Sequence, residues 1–158
     1  MAEFPEREAV GTLLRQVHDL LEADLTATYP EFGLPDDYRP RFSPVIRALV
    51  AEGPLSIRDV AAAVGVTHSA ASQTVAQMVR SGLLDLRPGE DARRRIAHLT
   101  GKARALLPAI DAEWAATAAA MSDVDAELPA PLAEVLLRVL EAAERRPLRD
   151  RIRDAMST

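Results

Sequence analysis

Val10, Leu13, Leu14, Val17, Leu20, Leu21 and Leu25 recur every three to four positions, which predicts an amphipathic helix over 5–28. Pro5 suits its first turn, and Tyr29-Pro30 stops it. Residues 31–39 form a loop rich in Pro, Gly and Asp. Phe42, Val45, Ile46, Leu49 and Val50 then give the inward face of a second helix over 40–52, ended by Gly53-Pro54. Ser56 with Asp59 three residues on resembles a capping box, with Asp in place of the usual Glu or Gln, and opens a short helix that stops at Gly65. Thr67 or Ser69 caps the next helix, which extends to about Ser81, with Gly82 as its stop. Strands over 83–87 and 94–99 flank the turn 88–91. Thr100 caps a long helix from 101 to about 121, which Pro108 should kink or delay. A break covers 122–131, and helical stretches cover 132–145 and 148–156.

The order is therefore helices, a hairpin, then helices: mainly α with a small β-hairpin wing. Two helices joined by Gly65-Val66-Thr67 make a helix-turn-helix unit. Gly65 permits the sharp turn, Ala61 and Ala62 allow a close helix crossing, and Val66 is expected to pin the turn into the core. In the second helix of the unit, over 67–81, Ala71, Val75 and Met78 share an inward face. Thr67 stands at its start, and His68, Ser69, Ser72, Gln73 and Gln77 fall on other faces. Short polar side chains on the first turns of a helix suit the reading of base edges in a DNA major groove. The hairpin tip adds guanidinium groups. Arg87, Arg93, Arg94 and Arg95 on a wing spanning 87–95 suit phosphates and a narrow minor groove, and Asp91 is placed to hold Arg93.

Charge sharpens this picture. The net charge is −5, which alone argues against nucleic acid. Between Arg39 and Arg104, however, eleven basic residues face five acidic ones, a local balance of +6 that leaves −11 for the flanks. A basic middle between acidic ends suits a segment facing nucleic acid within an acidic body. The chain is 48% hydrophobic and 27% charged over 158 residues, enough for one globular domain with a real core. With no cysteine, disulfides and thiolate chemistry are excluded. No signal-like start and no apolar run of roughly 20 residues is present, so a cytoplasmic protein with no membrane role is expected. The flanking helices carry more Leu, Val and Ala than one small winged core needs. Val10, Leu13, Leu14, Val17 and Leu21 are expected to pair with Leu132, Val135, Leu136, Val139 and Leu140 of a second copy.

The ordered set Gly53-Pro54-Leu55-Ser56-Ile57-Arg58-Asp59-Val60-Ala61, Gly65 through Gln73, Gly82-Leu83-Leu84 and Asp91-Ala92-Arg93 through Leu99-Thr100 resembles the MarR (multiple antibiotic resistance regulator) family. The resemblance implies one domain over 1–158, with a winged helix-turn-helix at 40–107 and dimerisation helices at 5–28 and 108–158. It further implies a homodimer on a pseudo-palindromic double-stranded operator, in most such cases a ligand-responsive repressor. The recognition helix would enter the major groove, and Asp91 and Arg93 of the wing would reach the minor groove. His68 and Gln73 depart from the commoner residues at their positions, so operator preference does not carry over. The resemblance also suggests a pocket for a small aromatic effector, for which Tyr29, Phe32, Tyr38, Phe42 and Trp114 are the candidate lining residues. The other reading is a winged-helix module for protein–protein assembly without DNA binding.

Little else points to chemistry. His18, His68 and His98 sit in three different elements, so no metal site is expected. There is no glycine-rich phosphate loop, no nucleophile elbow and no expected cofactor, and an enzyme is not expected. The carboxylates of Glu22, Asp24, Asp111 and Glu113 read as solvated helix faces.

Overall fold

The structure is a computed structural model that describes residues 9–89 and 94–157. The chain divides into two compact units, Met1–Trp114 and Ala115–Thr158.

In the first unit, α1 (Val10–Thr28) runs into a short 3-10 turn at Tyr29–Phe32, followed by α2 (Phe42–Glu52). A two-residue strand, β1 (Leu55–Ser56), precedes α3 (Ile57–Val64) and α4 (His68–Arg80). The hairpin strands are β2 (Leu84–Pro88) and β3 (Arg95–Leu99), and α5 (Gly101–Ala126) leaves the sheet. Strand order is β1-β3-β2, all antiparallel, with Leu55 opposite Ala97, Leu84 opposite Leu99 and Leu86 opposite Ala97. The third strand was not expected from the hydrophobic pattern. It makes the wing a covered hairpin, because one edge of β3 pairs with the segment that enters the helix-turn-helix.

Local chemistry explains the turns. Ser56 Oγ accepts the Asp59 backbone N–H and donates to the Asp59 carboxylate at 2.6 Å, a variant of the capping box closed through the hydroxyl itself. Gly65 ends α3 at φ +72°, a conformation costly for any residue with a Cβ. Val66 follows with 43% exposure, so it does not pin the turn into the core. That role falls to the half-buried Val64 and the buried Ala61. Thr67 caps α4 through Oγ1, which accepts the Ala70 N–H.

The core gathers Phe42, Val45, Ile46 and Leu49 of α2, Val60 and Ala61 of α3, Ala71, Val75 and Met78 of α4, Leu84, Ala97 and Leu99 of the sheet, and Ala103 and Ile110 of α5. Thr100 caps α5 by accepting the Ala103 N–H. Pro108 neither delays nor ends this helix, which starts at Gly101 and runs to Ala126, so the expected break is confined to 127–131. Glu113 corrects another expectation, since only 3% of it is exposed and it is not on a solvated face.

In the second unit, α6 (Leu132–Arg145) and α7 (Leu148–Met156) follow the end of α5. Pro131 has no side-chain cap to offer, and Asp125 Oδ1 accepts the Leu132 N–H at 2.8 Å in its place. Arg151 donates to the carbonyls of Ala142 and Arg146, and Arg146 pairs with Asp154, so the corner between α6 and α7 is held by guanidinium groups.

Candidate nucleic-acid interface

The helix α4 buries Ala71, Thr74, Val75 and Met78 on one face. At helical spacing the opposite face carries Ser69, Gln73, Ala76 and Arg80, all exposed. His68 and Ser72 flank that face on one side and Gln77 on the other. Thr67 is exposed too, with its hydroxyl engaged in the cap. Arg80 was not singled out from sequence, although it continues the stride from Ser69 through Gln73. At the far end of the helix, Lys102 Nζ donates to the Ser81 carbonyl at 2.8 Å, a cation set against the negative end of the helix dipole.

Beside the start of α4, Ser56, Ile57, Arg58, His68, Arg94 and Arg95 line a cleft of about 240 Å³. Three guanidinium groups and an imidazole thus converge where the N-termini of α3 and α4 meet the root of the wing. Arg58 is a further residue that sequence reasoning missed, because its nearness to Arg94 and Arg95 exists only in the folded chain. Gly89 N–H donates to the Arg94 carbonyl at 2.9 Å and closes the hairpin beyond the last strand pair, Pro88 opposite Arg95. Arg87 is exposed and lies 3.7 Å from Asp85 on the same side of β2. Asp91 and Arg93 lie outside the described residues.

Arg41, just before α2, reaches across to α4. Its Nε donates to Gln77 Oε1 at 3.2 Å, and its Nη2 donates to the same oxygen.

The aromatic residues divide between two places. Tyr29, Tyr38 and Phe42 are buried and meet edge to face, with centroids 5.4 Å and 5.6 Å apart. Phe32 packs half-buried against the same core. Tyr38 Oη and Ser43 Oγ share a hydrogen bond of 2.9 Å, whereas the buried Tyr29 hydroxyl has no partner among the described residues. Burial, reinforced by the Glu113 charge, pushes the Tyr29 phenol well above its ordinary range. Trp114 lies apart from this group. It lines a cleft of about 480 Å³ with Pro44, Arg47, Ala51, Leu107 and Asp111, and the Arg47 guanidinium sits 4.5 Å above its ring. Among the described residues no cluster of three or more His, Cys, Asp or Glu side chains is placed to hold a metal ion. Nor is any described helix long and apolar enough to cross a membrane.

A short helix-turn-helix, a hairpin backed by a third strand and a polar face on the second helix define a winged helix-turn-helix protein. Residues 43–95 match the model of the MarR family. No curated protein sequence matches the chain significantly. Among solved structures, the PcaV transcriptional regulator from Streptomyces coelicolor is 26% identical, with 88% of this chain and 98% of that one covered at a TM-score of 0.65. PcaV has also been solved with its natural ligand. The M. tuberculosis regulator MOSR, solved with DNA, is 22% identical over 89% of this chain and 98% of its own, at a TM-score of 0.68. A mutant MarR from E. coli, solved with operator DNA, is 15% identical over 85% of this chain and 92% of its own, at a TM-score of 0.64. The fold is that of these proteins.

Proposed function

We propose that the chain is a sequence-specific double-stranded DNA-binding transcriptional regulator that acts in the cytoplasm as a homodimer. The observation that carries this reading is the meeting of two surfaces. The polar outer face of α4 adjoins the cleft where Arg58, His68, Arg94 and Arg95 converge. The first surface suits base edges in a major groove, and the second suits the phosphates beside it. Arg93, the neighbour of Arg94 in the sequence, is assigned to the minor groove in this reading. A module that only assembles proteins has no need for such a concentration of cations around a helix N-terminus.

The dimer reading rests on apolar stripes without internal cover. Neither α1 nor α6 contains a buried residue among those described. Val10, Leu14 and Val17 on α1, and Val135, Val139 and Leu140 on α6, stand exposed. Packing against a second copy removes these stripes from water and sets two copies of α4 against two half-sites. An effector fits the same picture. The Trp114 cleft offers an aromatic ring and a guanidinium, which suits a small aromatic anion, and it lies between α2 and α5, the helices that flank the reading head.

The test is selection of binding sites from randomised duplex DNA, followed by titration at several salt concentrations. An enriched pseudo-palindrome is expected, with log K falling against log salt by about 0.9 for each phosphate neutralised. Binding that is indifferent to both sequence and salt overturns the reading.

A further inference from the structure

Gln77 belongs to the outer flank of α4, one stride beyond Gln73. Taken alone, its amide offers an acceptor and a donor, the pair that matches the N7 and N6 positions of adenine. In the folded chain the acceptor is occupied. Arg41, thirty-six positions earlier, aims both Nε and Nη2 at Oε1 of Gln77. A guanidinium carries donors only, so the face of the amide turned toward it is the oxygen, and the NH₂ group is turned away. Two N–H groups of one guanidinium thus converge on that oxygen and occupy it as an acceptor. What the pair presents outward is therefore hydrogen-bond donors and one positive charge.

We propose that Arg41 and Gln77 form a single donor-only reading unit that determines specificity at one base pair of each half-site. The proposal rests on the DNA-binding reading given above. Guanine shows two acceptors, N7 and O6, to the major groove and suits such a unit. Adenine and cytosine each present an amino group that meets another donor, and so are disfavoured. Arg41 is a positioning residue for the Gln77 amide, and it also adds charge next to the phosphates.

Arg41 is exposed, so Arg41→Ala should leave the fold intact, which an unchanged melting temperature checks. Base preference is measured by selection from randomised half-sites at fixed salt for the wild type, Arg41→Ala, Gln77→Ala and the double variant. Arg41→Ala releases the Gln77 oxygen. Preference at one base pair should then move from guanine toward adenine by on the order of tenfold, while positions that depend on Gln73 hold. Gln77→Ala and the double variant should both flatten that position. An even loss of affinity in Arg41→Ala with the same base preference overturns the pairing and leaves Arg41 as a phosphate contact. A wild type without any sequence preference overturns the DNA reading and the pairing together, so the two failures are told apart.

Discussion

The hydroxyl of Thr100 donates to the carbonyl of Gly82 at 2.7 Å, and its oxygen accepts the Ala103 N–H at 3.2 Å. One side chain thus ties the turn that leaves α4 to the first turn of α5. The backbone adds a parallel link, Thr100 N–H to the Leu83 carbonyl. These bonds fix both roots of the wing at the place where the hairpin emerges from the core. Replacing Thr100 by Ala removes a helix cap and the donor to Gly82, at a cost of about 1–2 kcal/mol in stability. Thr100→Ser keeps both bonds and should recover most of that loss. Urea denaturation of the two variants measures the difference, and equal midpoints would dismiss the link.

The basic cleft makes a prediction separate from base preference. Arg58, Arg94 and Arg95 line it together with His68, and all three arginines are exposed. Each Ala substitution should weaken DNA binding almost equally across sequences and reduce the salt slope by about 1. A substitution at Gln73, on the centre of the outward face of α4, should do the reverse, changing the preferred sequence and leaving the slope alone. Arg93→Ala should weaken binding by about 1–3 kcal/mol, the scale of one good groove contact. Affinity titrations at several salt concentrations separate the three behaviours, and unchanged slopes for Arg58, Arg94 and Arg95 would dissociate the cleft from phosphate binding.

What the sequence made legible was local. The helical stripes of α1, α2 and α6, the caps at Ser56, Thr67 and Thr100, and the stops at Gly65 and Gly82 depend on neighbours within a few residues. The strand Leu55–Ser56 has no periodicity of its own and exists only through its pairing with β3. The inward face of α4 followed from spacing, yet the neighbours of its other faces did not, because Arg41 reaches Gln77 from just before α2 and Arg58 meets His68 from α3. Glu113 shows the same limit. On α5 its charge reads as solvent-facing, and only the folded chain shows it buried and near enough to Tyr29 to raise the pKa of that phenol. Val66 is apolar by type, but it follows the αL turn at Gly65 and stands 43% exposed.

The uncovered stripe of α6 leads to a prediction about concentration. Leu132, Val135, Leu136, Val139 and Leu140 follow a three-to-four spacing, and the last four are exposed. If a second copy covers them, folding and association are linked, and the melting temperature rises with protein concentration. Leu136→Asp with Leu140→Asp should abolish that dependence and lower the melting temperature. Sedimentation across a roughly hundredfold dilution provides the second check, since obligate interfaces of about 2,000 Å² or more leave little folded monomer. A folded monomer of the wild type on dilution would contradict the dimer.

The phenol of Tyr38 gives the protein an alkaline limit. Burial pushes its pKa from 10.0 up to about 12, the Ser43 hydrogen bond opposes the rise, and the Glu113 charge adds to it. The folded chain therefore holds this proton more firmly than the unfolded chain. Below pH 10 both states keep the proton, and the stabilisation is fully present. Between pH 10 and about 12 the unfolded chain has released its proton while the folded chain still holds it, so stability falls as pH rises. The loss from this one group is on the order of 2–3 kcal/mol, and Tyr29, shifted in the same direction, steepens the decline. Tyr38→Phe removes the titrating group and the bond to Ser43, so it should cost about 1 kcal/mol at neutral pH and flatten part of the alkaline slope. Stability measured by urea denaturation from pH 8 to 12, a range set by the ordinary phenol pKa of about 10, tests both effects. Parallel curves for the wild type and Tyr38→Phe above pH 10 would show that Tyr38 does not govern the transition.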